Sequence, residues 1–279
     1  MSTSQSTPDA YSRRGSGRPA MLWLGLVAVA LLVATFLAPM RLASVWPGGG
    51  YSDISALSDS LSSAFVRFWS ANDGVIASDL AEPVEFWARF HIAKALLAGL
   101  LLLVLFPLGA RAWNAFWGAR SWRRLSLGVV ELGVAIIAPL ALVVLVANLQ
   151  GAIAPLTSAL GLLPVGAPDP SLAPTVRQVR RGLIGAEQSP PLDTLLHDFT
   201  LYHAAMAGLG VVVIAGLLGS SVFVWRRRRG ATQAQRHVLA MVIAGVVALT
   251  ACFLLVTAAN ISTAVWPAPA LLGFFEGGQ

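Results

Sequence analysis

Glu131 and Lys94 stand inside apolar runs, in VVELGVAIIA and FHIAKALLAG. Charge is costly to bury in hydrocarbon, so such positions are functional candidates by default. A carboxylate at the depth of Glu131 can relay a proton or a cation, but snorkelling or pairing with an arginine of the adjoining turn is the expected role. Lys94 lies near the end of its run, where a long stem lets the ammonium snorkel to the interface. There Glu82 or Glu85 is its expected partner.

His91 and His203 offer different chemistry. Two histidines on neighbouring helices can ligate a haem iron axially, and the pair could equally serve a quinone-associated redox protein. HDFTLYH, from His197 to His203, lacks the i,i+3 or i,i+4 spacing that aligns two ligands on one helix face. A second histidine pair deeper in the chain, as electron transfer across a bilayer would need, is also missing. Interfacial hydrogen bonding to a long connection is therefore the expected role, and no cofactor is assigned.

Asn148 and Gln150 lie in VANLQGAIAPL, and Asn260 in AANISTAVWPA, which reads as its echo. Asparagine tolerates the left-handed conformation that ends helices, and Pro155 and Pro267 suit the first turn of a new one. Asn148 and Asn260 are thus expected to stop two helices. PLTSALGLL and PAPALLGFF are then expected to restart the chain along a membrane surface. A substrate-facing role for the two asparagines and Gln150 is the alternative.

No phosphate-binding loop, H-E-x-x-H or G-x-S-x-G motif occurs. The single cysteine, Cys252, rules out an internal disulfide framework and a Cys-based zinc site. No catalytic residue is assigned, and the chain is expected to be non-enzymatic.

The elements that must position these residues follow from composition. Of 279 residues 56% are hydrophobic and only 11% charged, with a mean hydropathy of +0.72. Soluble domains carry about a quarter charged residues, so this chain needs lipid as its solvent. Five runs are long enough to span a bilayer, at about 21–39, 87–108, 125–147, 201–225 and 238–259. The expected fold is an all-α integral membrane protein with five transmembrane helices. Residues 1–19 form a disordered cytoplasmic tail and 20–279 a single helical domain, with outer loops at about 40–86 and 148–200.

Orientation comes from the arginines. Arg13, Arg14 and Arg18 precede the first run; Arg111, Arg120, Arg123 and Arg124 lie between the second and third; Arg226, Arg227, Arg228, Arg229 and Arg236 lie between the fourth and fifth. The two long connections hold most of the acids. Basic short loops mark the cytoplasmic side, which puts the N-terminus inside and the C-terminus outside. Despite a net charge of +6, Arg123, Arg124 and Arg226 to Arg229 read as topogenic anchors that meet anionic lipid headgroups. A nucleic-acid patch is not expected.

The chain also resembles itself. A shift of 112 positions, from His91 to His203, aligns Phe90-His91 with Tyr202-His203, Trp113 with Trp225, and Ala147-Asn148 with Ala259-Asn260. Pro155 aligns with Pro267 in the same register. Each unit is an outside-to-inside helix, a basic turn and an inside-to-outside helix, giving two parallel hairpin repeats after a signal-anchor helix.

Short amphipathic helices are expected in the outer loops. In ISALSDSLSSAFVRFW, Leu57, Leu61, Phe65 and Phe68 recur at helical spacing.

A single lysine beside many arginines, with abundant Ala and Gly, points to a bacterial plasma-membrane protein. Its expected work is that of an integral or accessory subunit of a transport, secretion or envelope complex, meeting a protein partner or a second copy. Two alternatives stand beside it: a transporter or channel with its pathway at the repeat interface, and the haem- or quinone-associated redox protein.

Overall fold

A computed structural model describes residues 17–46, 50–166 and 170–277. The described residues are helical throughout, with short connections. In order the helices are α1 (Gly17–Leu37), α2 (Pro39–Val45), α3 (Ile54–Ala71), α4 (Ser78–Phe116), α5 (Ser121–Ile153), α6 (Pro155–Leu160), α7 (Ala173–Gly185), α8 (Pro190–Arg227), α9 (Gln233–Val265) and α10 (Pro267–Phe275). Five of them, α1, α4, α5, α8 and α9, are long and apolar enough to cross a membrane. The expected tail over 1–19 falls outside the described residues as far as residue 16. Its last three residues belong instead to α1, where Pro19 costs no hydrogen bond because first-turn amides have no intrahelical partner.

The chain divides into two compact units. The first comprises residues 1–37 and 96–145, and so contains α1, the second half of α4 and most of α5. Leu101, Leu105 and Leu108 recur at helical spacing and pack with Ala28 and Ala141. The small alanines let backbones approach, which matters where association rests on packing. The outward residues are just as apolar. Phe106 is 81% exposed and Leu103 71%, a surface that water would oppose and acyl chains accept.

The second unit comprises residues 38–95 and 146–279. Its core gathers Leu61, Phe65 and Phe68 of α3, Leu156 and Leu160 of α6, Val176 and Val179 of α7, Leu192 and Leu195 of α8, and Leu271 and Phe275 of α10. The stripe expected on Ile54–Trp69 is buried as a row, with Leu57 and Phe65 fully enclosed. Asp53 caps this helix by accepting the Ala56 amide at 2.9 Å. That bond, with one from Ser52, holds the Asp53 carboxyl below the usual carboxylate range.

Two expectations need correcting. The long helices overrun their apolar runs: α4 has 39 residues and α8 has 38, so the loops expected at 40–86 and 148–200 are largely helical. Hydropathy measures the part of a helix that faces lipid. Leu80, Val84 and Phe86 extend α4 as a helix that buries one face against protein.

Asn148 and Asn260 end nothing. Both lie inside helices, and the left-handed non-glycine residues among those described are Asn72, Ser121 and Ala186. The breaks fall later, at Ala154 (φ −126°, ψ 74°) and Trp266 (φ −127°, ψ 71°). Each directly precedes a proline, whose ring disfavours the α conformation in the residue before it.

α6 and α10, the two segments expected along a membrane surface, each turn an apolar face to protein. Leu156, Leu160, Leu271 and Phe275 are buried, and Phe275 stacks on Phe65 with centroids 6.3 Å apart. Their apolar faces are taken up by α3, α7 and α8.

Candidate functional site

The second unit contains a belt of polar side chains where α4, α5, α6 and α8 meet. The first part of α4 supplies Trp87 and His91, the end of α5 supplies Asn148, Gln150 and Gly151, α6 supplies Thr157 and Ser158, and α8 supplies Asp198 and Tyr202.

His91 is bonded through both ring nitrogens. Its Nδ1 lies 2.8 Å from Asn148 Oδ1 and its Nε2 lies 2.8 Å from Ser158 Oγ. An amide oxygen only accepts, so Nδ1 carries the proton, and Nε2 is left to accept from the Ser158 hydroxyl. Ser158 Oγ in turn accepts from Trp87 Nε1 at 3.1 Å. The ring rests directly on the backbone of Gly151, where a Cβ would fall 2.7 Å from Nε2. The indole of Trp87 meets the imidazole edge-on at 4.8 Å.

A related arrangement occurs at His203. Its Nδ1 lies 2.7 Å from Asn260 Oδ1, and Asn260 Nδ2 donates to the Val256 carbonyl at 2.8 Å. That second bond orients the amide so that oxygen faces the histidine. Phe199 meets this imidazole edge-on at 4.6 Å. The two sites then diverge. Thr263 stands 112 positions after Gly151, and Ala270 stands 112 positions after Ser158. Only His91 has a hydroxyl on its second nitrogen and a glycine seat beneath it.

The start of α6 is tied to α8. Asp198 Oδ2 accepts the Thr157 amide at 2.7 Å, and Gln150 Nε2 donates to the Tyr202 carbonyl at 3.2 Å. The Thr157 hydroxyl is buried, with no hydrogen-bond partner among the described residues. Beside it, Thr157, Ser158, Phe199, Tyr202 and Phe274 line much of a partly open cavity of about 190 Å³ between α6, α8 and α10.

No family model, curated protein or solved structure matches this chain. The chemistry of the belt has to be read from its own geometry.

Of the residues singled out from sequence, His91, Asn148 and Gln150 come together in this belt, and His203 pairs with Asn260. Asn148 and Gln150 are 7% and 6% exposed, and both are held by protein groups. Haem ligation by His91 would have to break its bond to Ser158 or to Asn148. Among the described residues, no group of three or more His, Cys, Asp or Glu side chains is placed to hold a metal ion.

Glu131 lies in the first unit, half-buried on α5, and its Oε1 is buried without a hydrogen-bond partner among the described residues. The arginine partner expected for it is not seen: neither the Arg67–Asp79 nor the Arg180–Glu276 ion pair involves it, and its Oε1 has no bonded partner among the described residues. Lys94 pairs with neither Glu82 nor Glu85. All three lie on the continuous helix α4, so even Glu85 is displaced from Lys94 by about 13 Å of helical rise. The ammonium sits instead 5.6 Å from the centroid of the Phe90 ring.

The arginines of the two basic turns lie against aromatic rings. Arg124 stacks over Phe116 and Arg227 over Phe223, each at 4.9 Å, and Arg229 over Trp225 at 5.0 Å. Arg123 and Arg226 are exposed, and Arg228 is half-buried in the short 3-10 turn after α8.

Sequence reasoning did not reach Ser158, Trp87, Gly151, Asp198 or Thr157. For Ser158 and Gly151 a signal existed. At the shift of 112 positions that sets His91 and Asn148 against a second His and Asn, Ser158 meets Ala270 and Gly151 meets Thr263.

Proposed function

We propose that this polytopic membrane protein is an integral or accessory subunit of a bacterial transport, secretion or envelope complex. Its N-terminus is cytoplasmic and its C-terminus lies outside. The orientation rests on the basic short turns, whose arginines lie over ring faces in the manner of interfacial anchors that meet anionic headgroups.

Two parallel hairpins related by 112 positions form its frame. Matching backbone angles at Ala154 and Trp266 support the duplication, as do the matching His91–Asn148 and His203–Asn260 bonds.

The observation that carries the subunit reading is the packed group of helices α3, α6, α7 and α10, which share one hydrophobic core around Phe65. A chain that merely crossed the bilayer would not need it. Such a module presents a defined outer surface to a protein partner or a second copy. Purification in mild detergent after cross-linking tests this directly. A stoichiometric partner that disappears when α7 is deleted, with the five long helices still inserted, supports the reading. A monodisperse monomer with no cross-linked partner in its native membrane overturns it.

One observation favours a second reading, a transporter or channel in its own right. The Glu131 oxygen is buried without a partner among the described residues, as a proton- or cation-relay carboxylate would be. Proteoliposomes carrying wild-type protein would then pass protons or cations, and Glu131→Gln would abolish the flux. Vesicles no leakier than empty ones remove this reading.

A further inference from the structure

The contacts of His91 form more than a helix clamp. A hydroxyl bonded to one ring nitrogen and an orienting acceptor on the other is the arrangement by which a serine is activated as a nucleophile. We propose that Ser158, His91 and Asn148 form a serine-esterase centre acting on the carboxylic ester of a membrane lipid. This inference does not rest on the subunit reading, and it departs from the expectation that the chain is non-enzymatic.

Geometry assigns the roles. Asn148 Oδ1, 2.8 Å from Nδ1, fixes the tautomer in which Nε2 holds a lone pair, and Ser158 points its proton at that lone pair across 2.8 Å. Asn148 is the positioning residue, the part an amide takes beside a catalytic histidine. Gly151 leaves the ring room to sit in this plane, and Trp87 steadies Oγ from the other side. Ser158 is also among the residues that line the partly open cavity.

The reaction balances with water alone. Ser158 Oγ bonds to the ester carbonyl carbon while its proton passes to His91 Nε2. The carbon–alkoxy bond then breaks, and the departing alcohol takes the proton from Nε2. Water attacks the acyl-serine by the same route, releasing a carboxylic acid and restoring both residues. The Thr157 hydroxyl is buried without a hydrogen-bond partner among the described residues, and turned toward the cavity that Thr157 helps to line it would donate to the oxyanion.

Lipid esters fit for two reasons. The cavity walls include Leu160, Phe199 and Phe274, which suit an acyl chain rather than a charged group. His91 also stands near the start of the apolar stretch of α4, the depth at which bilayer hydrocarbon meets headgroups and where lipid ester carbonyls reside.

The second site is a built-in comparison. His203 and Asn260 repeat the base and its positioning amide, but Ala270 occupies the register position of Ser158. It has no nucleophile.

The test uses full-length protein in mild detergent, treated with a fluorophosphonate probe and mapped by peptide mass spectrometry. An adduct on Ser158, absent in Ser158→Ala, is expected. His91→Gln keeps a hydrogen-bonding amide but no base, and should slow labelling about 100-fold or more. Asn148→Asp should retain labelling that Asn148→Ala loses, a rescue that simple packing would not give. His203→Gln should label at the wild-type rate. Folded wild-type protein that carries no adduct on Ser158 overturns the proposal. So does equal loss of labelling in His91→Gln and His203→Gln, since both would then act only by holding helices together.

Discussion

The imidazole of His91 sits on the bare backbone of Gly151, so close that a methyl group there would lie 2.7 Å from Nε2. The ring is held above by Asn148 and Ser158 and below by the absence of a side chain.

Gly151→Ala should therefore push the ring out and break both of its hydrogen bonds. Overpacking of this kind costs about 1–3 kcal/mol, to be read as a fall in the thermal unfolding temperature of the detergent-solubilised protein. In a His91→Ala background the same methyl should cost little. An equal cost in both backgrounds would mean that the glycine matters for some other contact.

A similar close approach joins α8 and α9. A Cβ on Gly210 would overlap the Thr257 hydroxyl, which is itself buried without a hydrogen-bond partner among the described residues. Gly210→Ala is expected to destabilise the protein by about 1–3 kcal/mol, whereas Gly208→Ala, with nothing within 4 Å of its added methyl, should be neutral or better. Adding Thr257→Ala to Gly210→Ala should recover most of the loss. Failure of that rescue would show that the backbones, rather than the hydroxyl, set the limit.

Asp198 holds α6 in place by accepting the Thr157 amide at 2.7 Å. Removing one partner strands a buried donor, at a cost of about 1–3 kcal/mol. Asp198→Ala should show that loss in thermal unfolding, and proteolysis should begin to cut near α6. Asp198→Asn, whose amide oxygen still accepts, should recover much of the stability. Equal loss in both variants would point to the charge instead.

Orientation is open to labelling. Cys252 is the one native cysteine, so a Cys252→Ser background allows single reporters at two exposed positions. Ala71→Cys should react with a membrane-impermeant maleimide on intact cells, and Gly230→Cys only after permeabilisation. The reverse pattern would invert the topology inferred from the arginines.

Five candidate spans and the buried stripe of α3 were legible in the sequence, and His91, His203, Asn148 and Asn260 were singled out there without their pairing. Hydropathy and helical period are local, so a run or a stripe can be read before it is known what it faces. What the asparagines do was not legible. Asn148 carries the same short polar side chain whether it ends a helix or accepts from His91, and only the position of α4 decides between the two. The same holds for the ends of α5 and α9, where Pro155 and Pro267 set the break one residue ahead of themselves. Ser158 required still more. It reaches His91 across 67 positions, because α6 turns back at Ala154, is tied to α8 through Asp198 and buries Leu156 and Leu160 in the core. A hydroxyl becomes a partner for an imidazole only when packing elsewhere brings the two together, and that is a property of the tertiary structure alone.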